Sequence, residues 1–226
     1  MEKFSLFDLL SFAIPGGASL ILLYWAMLNT YGQAATGVPL PDNMLLIVFL
    51  LLSYFAGHLL SEAGARLEKI FGGLPNSWAS ILEKSPALAQ KLNEIATKHF
   101  SINFIKENGT VDIAASGDFY DHAFNVLEVN GKLEKIRILQ TQYVFLRNFV
   151  ALGILAILAS SLVFSVNLYK KGNFSDPQTL VPFVCIFVAL FLCVISRRIS
   201  LKRRHMKMSA TLHTFYAYYI SITSIK

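Results

Sequence analysis

The sequence is poor in charge and in cysteine. Charged side chains make up 15% of its 226 residues, whereas hydrophobic residues make up 54%. Soluble domains carry about 25% charged residues, so this balance excludes an ordinary soluble domain and favours a membrane protein. The two cysteines, Cys185 and Cys193, lie in one apolar stretch at a separation of about 12 Å along a helix. That separation excludes an intrahelical disulfide, and we interpret both as packing residues.

The chain also lacks the short motifs on which an enzyme assignment usually rests. It contains no phosphate-binding Walker loop, no Gly-x-Ser-x-Gly turn and no paired-carboxylate motif. No two histidines have the spacing of a metal-binding helix, so we predict no metal and no other cofactor. Arg198 and His205 match the loose Arg-x6-His signature of HEPN ribonucleases, but a tail this basic is expected to contain such a pair by chance. We therefore predict no catalytic residues and no enzymatic activity.

Long apolar stretches are what the sequence has in place of charge. They occupy residues 7–28, 44–60, 149–168 and 180–195. Each approaches the roughly 17 to 25 residues that a helix needs to cross about 30 Å of hydrocarbon, and each is continuous rather than alternating. The fold class predicted is an all-α membrane protein with four transmembrane helices. We expect the first stretch to remain as a span rather than be cleaved as a signal peptide, because Asp8 interrupts it.

The distribution of lysine and arginine predicts the orientation. The loop 29–43 has neither residue, whereas the end of the chain is rich in both. The basic residues there are Arg197, Arg198, Lys202, Arg203, Arg204 and Lys207. Since basic flanks stay on the cytoplasmic side, we predict an inner (plasma) membrane protein with both termini in the cytoplasm. The predicted domains are a hairpin at 1–61, a cytoplasmic domain at 62–142, a second hairpin at 143–196 and a cytoplasmic tail at 197–226.

The 62–142 segment is predicted to be a small, mainly helical insertion. The second span should continue to about Ile70 and stop at 72–75, and Ser85-Pro86 should open the next helix. Alternating apolar residues around Asn108-Gly109 predict a short β-hairpin, namely Ile102, Phe104, Val111 and Ile113. Further helices should run from Asp118 to Asn130-Gly131 and from there into the third span. Acidic and basic residues nearly balance, so no direct nucleic-acid binding is expected.

Polar residues cluster at the cytoplasmic ends of the predicted spans. His58 and Glu62 share one helical face, a spacing that can hold a metal or relay a proton, although polar groups so near the boundary also reach water. Arg147 enters the third span and must find either an acid or a lipid phosphate. Asp8 and Glu62 should lie at a similar depth. The sequence leaves a salt bridge and a phosphate contact equally open.

Small residues recur on the second span. Ser53, Gly57, Ser61 and Ala65 occur at every fourth position, and Gly16 and Gly17 follow Pro15 in the first span. Such ridges let helix backbones approach closely in lipid, within one chain or between chains. We interpret them as helix-packing residues. Span three carries polar residues that an oligomeric pore would use or that would bond neighbouring backbone, namely Ser160, Ser161, Ser165 and Asn167.

The tail combines basic and aromatic residues in a predicted amphipathic helix. Its basic residues suit anionic lipid headgroups, at about 1 kcal/mol for each one near the surface, and also fit the ordinary flank of a last span. The aromatic residues require a partner, either the membrane interface or another subunit. They are Phe215, Tyr216, Tyr218 and Tyr219.

The layout resembles a loose group of small four-pass bacterial inner-membrane proteins, some of them membrane subunits of phage-defence systems. Short motifs carry the resemblance, namely Ile14-Pro15-Gly16, Tyr54-x-x-Gly57-His58, Gln142-Tyr143-x-Phe145-Leu146-Arg147-Asn148 and the basic-aromatic tail. The resemblance implies four spans, both termini inside and a role as membrane partner or effector. It assigns no active site.

Two functions are compatible with these features. The first is an oligomeric subunit of an antiphage defence system, which acts as a membrane effector or sensor or docks a cytosolic partner on 62–142. Its expected partners are membrane lipids, further copies of the chain and a cytosolic protein. The alternative is a membrane enzyme or lipid-handling protein that uses His58, Glu62 and Arg147 at the cytoplasmic interface. We favour the first, because its packing ridges and its cytoplasmic insertion are both present.

Overall fold

The computed structural model describes residues 6–32, 42–70, 77–174 and 176–223, and within these ranges the chain is helical and has no strand. The helices are α1 (Leu6–Tyr31), α2 (Asp42–Ile70), α3 (Ser77–Lys84), α4 (Pro86–Phe100), α5 (Ile113–Val129), α6 (Glu134–Lys171) and α7 (Pro177–Thr223). Four of them, α1, α2, α6 and α7, are long and apolar enough to cross a membrane. The predicted helical class with four candidate spans is confirmed, and the chain is consistent with a multi-pass membrane protein.

Helix boundaries follow local chemistry at several predicted places. The second span continues as α2 to Ile70, as predicted, whereas the predicted stop at 72–75 lies outside the described residues. Ser85 is the N-cap of α4 with proline after it, although its side chain makes no capping hydrogen bond. Gly131 has the left-handed φ of 66° that ends α5, and α6 then runs without a break into the third span. These expectations are confirmed.

The predicted β-hairpin around Asn108-Gly109 is wrong. In its place the described chain has a turn closed by one isolated bridge, between Ile105 and Val111. The side chain of Asn93 in α4 accepts hydrogen bonds from the backbone N–H groups of Phe104 and Ile105, at 2.8 and 3.2 Å. Those N–H groups therefore bind a side chain rather than a partner strand.

In the second arm of that predicted hairpin, Ile113 is instead the first residue of α5. Asp112 caps this helix by accepting hydrogen bonds from the N–H groups of Ala114 and Ala115, at 2.9 and 3.1 Å. Because an N-cap aspartate satisfies donors that the first turn leaves unpaired, the helix begins at Ile113. The bonds from Ala115 and Ala114, with Lys106 near the carboxylate, lower the pKa of Asp112. The start of α5 therefore precedes the predicted Asp118.

The chain divides into two compact units. The first comprises Met1–Gly72 and Thr141–Ser200 and is called the spanning unit here, because it holds the apolar stretches. The second comprises Gly73–Gln140 and Leu201–Lys226 and is called the insertion–tail unit. The boundaries drawn from sequence separate the insertion from the tail. In the structure they form one unit.

The insertion–tail unit has its own hydrophobic core. Fully buried side chains from α3, α4, the segment between α4 and α5, α5 and the last third of α7 meet there, namely Leu82, Leu92, Phe104, Phe119, Leu127, Leu212 and Phe215. Phe119 and Phe215 pack edge to face with ring centroids 5.5 Å apart. Short α3, which lies between the predicted stop at 72–75 and the predicted helix at Ser85-Pro86, contributes Ile81 and Leu82. The tail is therefore a core element of this unit.

Candidate functional site

The closest approach in the spanning unit is between α1 and α2. A Cβ placed on Gly16 would overlap the carbonyl oxygen of Ser53 and lie 2.5 Å from the Gly57 nitrogen. A Cβ on Gly57 would overlap the carbonyl oxygen of Phe12. Real Cβ atoms do not approach backbone so closely, so only glycine fits at either position. Ser53 is buried beside them, and its hydroxyl has no hydrogen-bond partner in the described part of the chain.

The next turns of α2 pack against α6. Arg147 of α6 donates a hydrogen bond from Nη2 to the Ser61 hydroxyl at 2.8 Å. A Cβ on Gly64 would lie 3.1 Å from the Arg147 Cγ and 3.2 Å from its carbonyl oxygen. The predicted packing positions Ser53, Gly57 and Ser61 thus contact helices of their own chain. Predicted Ala65 is partly buried, and Gly64, which the four-residue repeat misses, makes the close contact.

Pro15 leaves one backbone carbonyl of α1 without its helical donor. In a regular helix the Ser11 carbonyl accepts from the N–H of residue 15, and proline has none. The side chain of Asn148 in α6 donates from Nδ2 to the Ser11 carbonyl at 3.2 Å. Asn148 is completely buried, and its Oδ1 has no partner among the described residues. A buried asparagine therefore supplies the hydrogen bond that the proline removes.

Of the two acid partners considered for Arg147, Glu62 does not pair with it. Glu62 pairs instead with Arg66 on its own helix, at 3.1 Å and on the exposed surface. The side chain of Asp8 lies outside the described part of the structure. The Arg147 guanidinium lies over the Tyr143 ring, 5.5 Å from its centroid, and the Tyr143 hydroxyl donates to the Glu68 carboxylate. The Glu68 carboxylate thus binds the Tyr143 phenol, whose ring lies beside Arg147.

His58 belongs to an aromatic cluster rather than to a polar site. Its ring stacks on Phe12 with centroids 4.1 Å apart and meets Tyr54 edge to face at 4.6 Å. Glu62, one turn later, points to Arg66. The structure therefore does not bring His58, Glu62 and Arg147 together. No group of three or more histidine, cysteine, aspartate or glutamate residues in the described ranges is placed to hold a metal ion.

Other polar residues of the spans are also taken up within the chain. Ser160 and Asn167 are buried, and Asn167 donates to the Gln178 carbonyl at 2.6 Å. Ser165 donates to the Ser161 carbonyl of its own helix at 2.9 Å. Cys193 donates weakly from Sγ to the Val150 carbonyl at 3.5 Å. Since Ser160 and Asn167 are covered by their own chain, they do not line the outer face that an oligomeric pore would use.

The aromatic tail finds its partner in the insertion. Phe215 is buried in the core of the insertion–tail unit, and Tyr219 is hydrogen-bonded to His99 of α4. Tyr216 accepts Lys91 over its ring at 5.6 Å from the centroid. The sequence offered the membrane interface or another subunit as this partner. The same chain fills the role instead.

The basic residues of α7 fall into two groups. Arg197, Arg198 and Lys202 are exposed, whereas Arg203, Arg204 and Lys207 are partly buried. The Lys207 ammonium lies over the Phe124 ring, 5.5 Å from its centroid. Three of the six predicted headgroup ligands are thus partly covered by neighbouring side chains.

A buried polar pair joins the insertion to the tail. Tyr120 of α5 and Thr211 of α7 share a hydrogen bond of 3.3 Å, and Thr211 also donates to the Lys207 carbonyl at 3.0 Å. Trp78 stacks on Tyr120 with centroids 5.7 Å apart. Burial raises the pKa of the Tyr120 phenol, and the bond with Thr211 opposes the shift only in part. The phenol is therefore neutral and structural at physiological pH.

Comparison with known proteins identifies no relative: no family model, no curated protein and no solved structure matches this chain. Its own geometry is therefore the basis for a functional assignment.

Proposed function

We propose that this chain is a multi-pass protein of the bacterial inner membrane whose insertion–tail unit lies in the cytoplasm and docks a cytosolic protein. The observation that supports docking is the core shared by α3, α4, α5 and the end of α7. A tail that served only to hold the last span at the membrane would need basic residues but no buried Leu212 or Phe215. A folded unit attached to candidate spans offers a fixed surface to a soluble partner.

The competing function is a membrane enzyme or lipid-handling protein. It requires His58, Glu62 and Arg147 to act on one molecule. Their contacts are separate, since His58 stacks on Phe12, Glu62 pairs with Arg66 and Arg147 binds Ser61. This dispersion favours docking over catalysis.

The biological setting in the proposal is antiphage defence, with the chain as effector, sensor or platform. Its support is the layout-level resemblance described above. Oligomer formation is part of the same proposal, but the ridge of small residues on α2 is occupied by α1 and α6 of its own chain. Self-assembly would therefore use another surface.

Two exposed residues allow a matched test of orientation. Val129 in the insertion–tail unit and Tyr169 at the end of α6 are 86% and 92% exposed. In a background without Cys185 and Cys193, we expect a membrane-impermeant maleimide to label Tyr169→Cys in intact cells and Val129→Cys only after lysis. Labelling of Val129→Cys in intact cells would overturn the cytoplasmic assignment.

Docking is tested in the native host by photo-crosslinking from Val129, with Tyr169 as the matched control position. We expect one cytosolic protein to be captured from Val129 and not from Tyr169. Phage plating should rise when Leu92→Asp disrupts the core, because Leu92 is completely buried. Unchanged plating on deletion of the whole gene would exclude a defence role, and unchanged plating with Leu92→Asp would exclude docking through this unit.

A further inference from the structure

The guanidinium of Arg147 has more donors than the described chain satisfies. A guanidinium carries five N–H donors in a planar fork. Its hydrogen bond from Nη2 goes to the Ser61 hydroxyl, while its Nε is buried and has no acceptor among the described residues. Because Nε is enclosed by protein while the residue as a whole is only partly buried, an oxygen-bearing partner would bind the terminal nitrogens of the guanidinium.

No carboxylate in the described ranges forms an ion pair with this charge. Glu62 pairs with Arg66, and Glu68 accepts the hydroxyl of Tyr143. Arg147 is partly withdrawn from solvent, between α2 and the ring of Tyr143. A charge in that setting needs an anion to offset its lost hydration.

The surroundings fix where that anion would come from. The stretch of α2 facing Arg147 is the place where its sequence changes from apolar to charged, since Ser61 is followed by Glu62 and Arg66. In a spanning helix such a change marks the level of the lipid headgroups, where tyrosine rings such as Tyr143 are also enriched. Gly64 lets the α6 backbone come close enough to hold Arg147 at this level.

We propose that Arg147, together with the Ser61 hydroxyl, binds the phosphate of an anionic lipid headgroup. The planar fork of arginine matches two phosphate oxygens, and the serine hydroxyl can donate to a third. The acyl chains of a lipid hold its phosphate at the level of the headgroups, whereas a free phosphate ion has no such anchor. This site is independent of the docking function, and either can hold without the other.

The test uses the purified full-length chain in a neutral detergent. Its thermal unfolding midpoint is measured with added phosphatidylglycerol, phosphatidylcholine or inorganic phosphate. We expect phosphatidylglycerol to raise the midpoint most and inorganic phosphate to leave it unchanged. Arg147→Gln should weaken the phosphatidylglycerol response at least about tenfold in the concentration required, because it removes charged hydrogen bonds.

Arg66→Gln is the matched control, since Arg66 lies on the same stretch of α2 but is exposed and paired with Glu62. It should respond to phosphatidylglycerol as the wild type does. An equal response of Arg147→Gln and Arg66→Gln would overturn the site, and an equal response to inorganic phosphate would overturn the lipid source. If Arg147→Gln does not fold, Ser61→Ala replaces it, with lipid retention in native mass spectrometry as the readout, and undiminished retention would also overturn the site.

Discussion

The two units hold their helices together by opposite means. In the spanning unit the α1–α2 contact depends on residues without side chains, Gly16 and Gly57. In the insertion–tail unit the core depends on large rings such as Phe119 and Phe215. Lipid is as apolar as leucine, so helices in a membrane gain from close backbone approach, whereas helices in water gain from burying apolar area. With the spanning unit in the membrane and the insertion–tail unit in water, as proposed above, glycines are the most sensitive positions in the first and buried rings in the second.

The largest effect is expected at the glycine contact. Gly16→Ala places a methyl group on the Ser53 carbonyl, and we expect a loss of at least about 3 kcal/mol, the upper end of overpacking costs. Gly17→Ala is the control, because the nearest atom to its new Cβ is the rotatable Ser53 hydroxyl at 3.2 Å. Thermal unfolding in detergent measures both. Equal effects of the two substitutions would mean that the backbone contact is not what holds α1 to α2.

The aromatic core should be nearly as sensitive. Phe215→Ala removes a completely buried ring, and we expect a loss of about 3 to 5 kcal/mol. Val129→Ala, at a highly exposed position of the same unit, should change stability by no more than about 0.5 kcal/mol. In a Trp25→Phe background, denaturant unfolding followed by tryptophan fluorescence reports on this unit through Trp78, which packs against its core. A loss of less than about 1 kcal/mol for Phe215→Ala would contradict a stabilising role of the tail in this core.

An intermediate effect is expected at the buried asparagine. Asn148→Ala removes the side-chain hydrogen bond to the Ser11 carbonyl, whose regular helical donor Pro15 does not supply, at a cost of about 1 to 3 kcal/mol. Pro15→Ala restores an N–H at the helical position, so the same asparagine change should cost less in that background. A double-mutant cycle on unfolding midpoints measures the coupling. Strictly additive effects would contradict the compensation.

The smallest effect is expected at the cap of α5. The pKa of Asp112 is lowered in the folded protein, chiefly by the hydrogen bond from the Ala115 N–H. A lowered carboxyl pKa contributes stability above the unfolded pKa, and this contribution is lost as pH falls through the folded pKa. The stability of Asp112→Asn should therefore depend less on pH below 3.8, the ordinary pKa of an aspartate carboxyl. If the stability of the wild type and of Asp112→Asn changes with pH in the same way, a stabilising charged cap is excluded.

Elements that depend on local pattern were predictable from the sequence. Continuous apolar runs predicted the four long helices, and the absence of a breaker predicted that α6 enters the third span. The hairpin prediction was wrong because of a residue outside the hairpin. Asn93 accepts hydrogen bonds from the N–H groups of Phe104 and Ile105, which a partner strand would otherwise accept. Alternation in sequence cannot reveal a side-chain acceptor on another helix.

The contacts between helices were harder to predict from the sequence. The four-residue repeat on α2 led to Ala65, while the close contact with Arg147 falls on neighbouring Gly64, because two adjacent small residues leave the helical phase undecided. Pro15 and Asn148 were each visible, but their link through the Ser11 carbonyl joins residues far apart in the chain. The tail likewise packs with the insertion, although residues 141–200, which hold two candidate spans, separate them in the sequence.

The shared core of insertion and tail also orders events during synthesis. When residue 140 has been made, the unit has α3, α4 and α5 but not Leu212 or Phe215. At about 5 to 20 residues per second, the ribosome needs roughly 4 to 15 s more to supply them. Both remaining apolar stretches, 149–168 and 180–195, are made in that interval. A half-built core thus waits with exposed apolar surface. The final folding of this unit therefore follows the synthesis of both remaining candidate spans, and a chain that ended before Leu212 would lack part of the core.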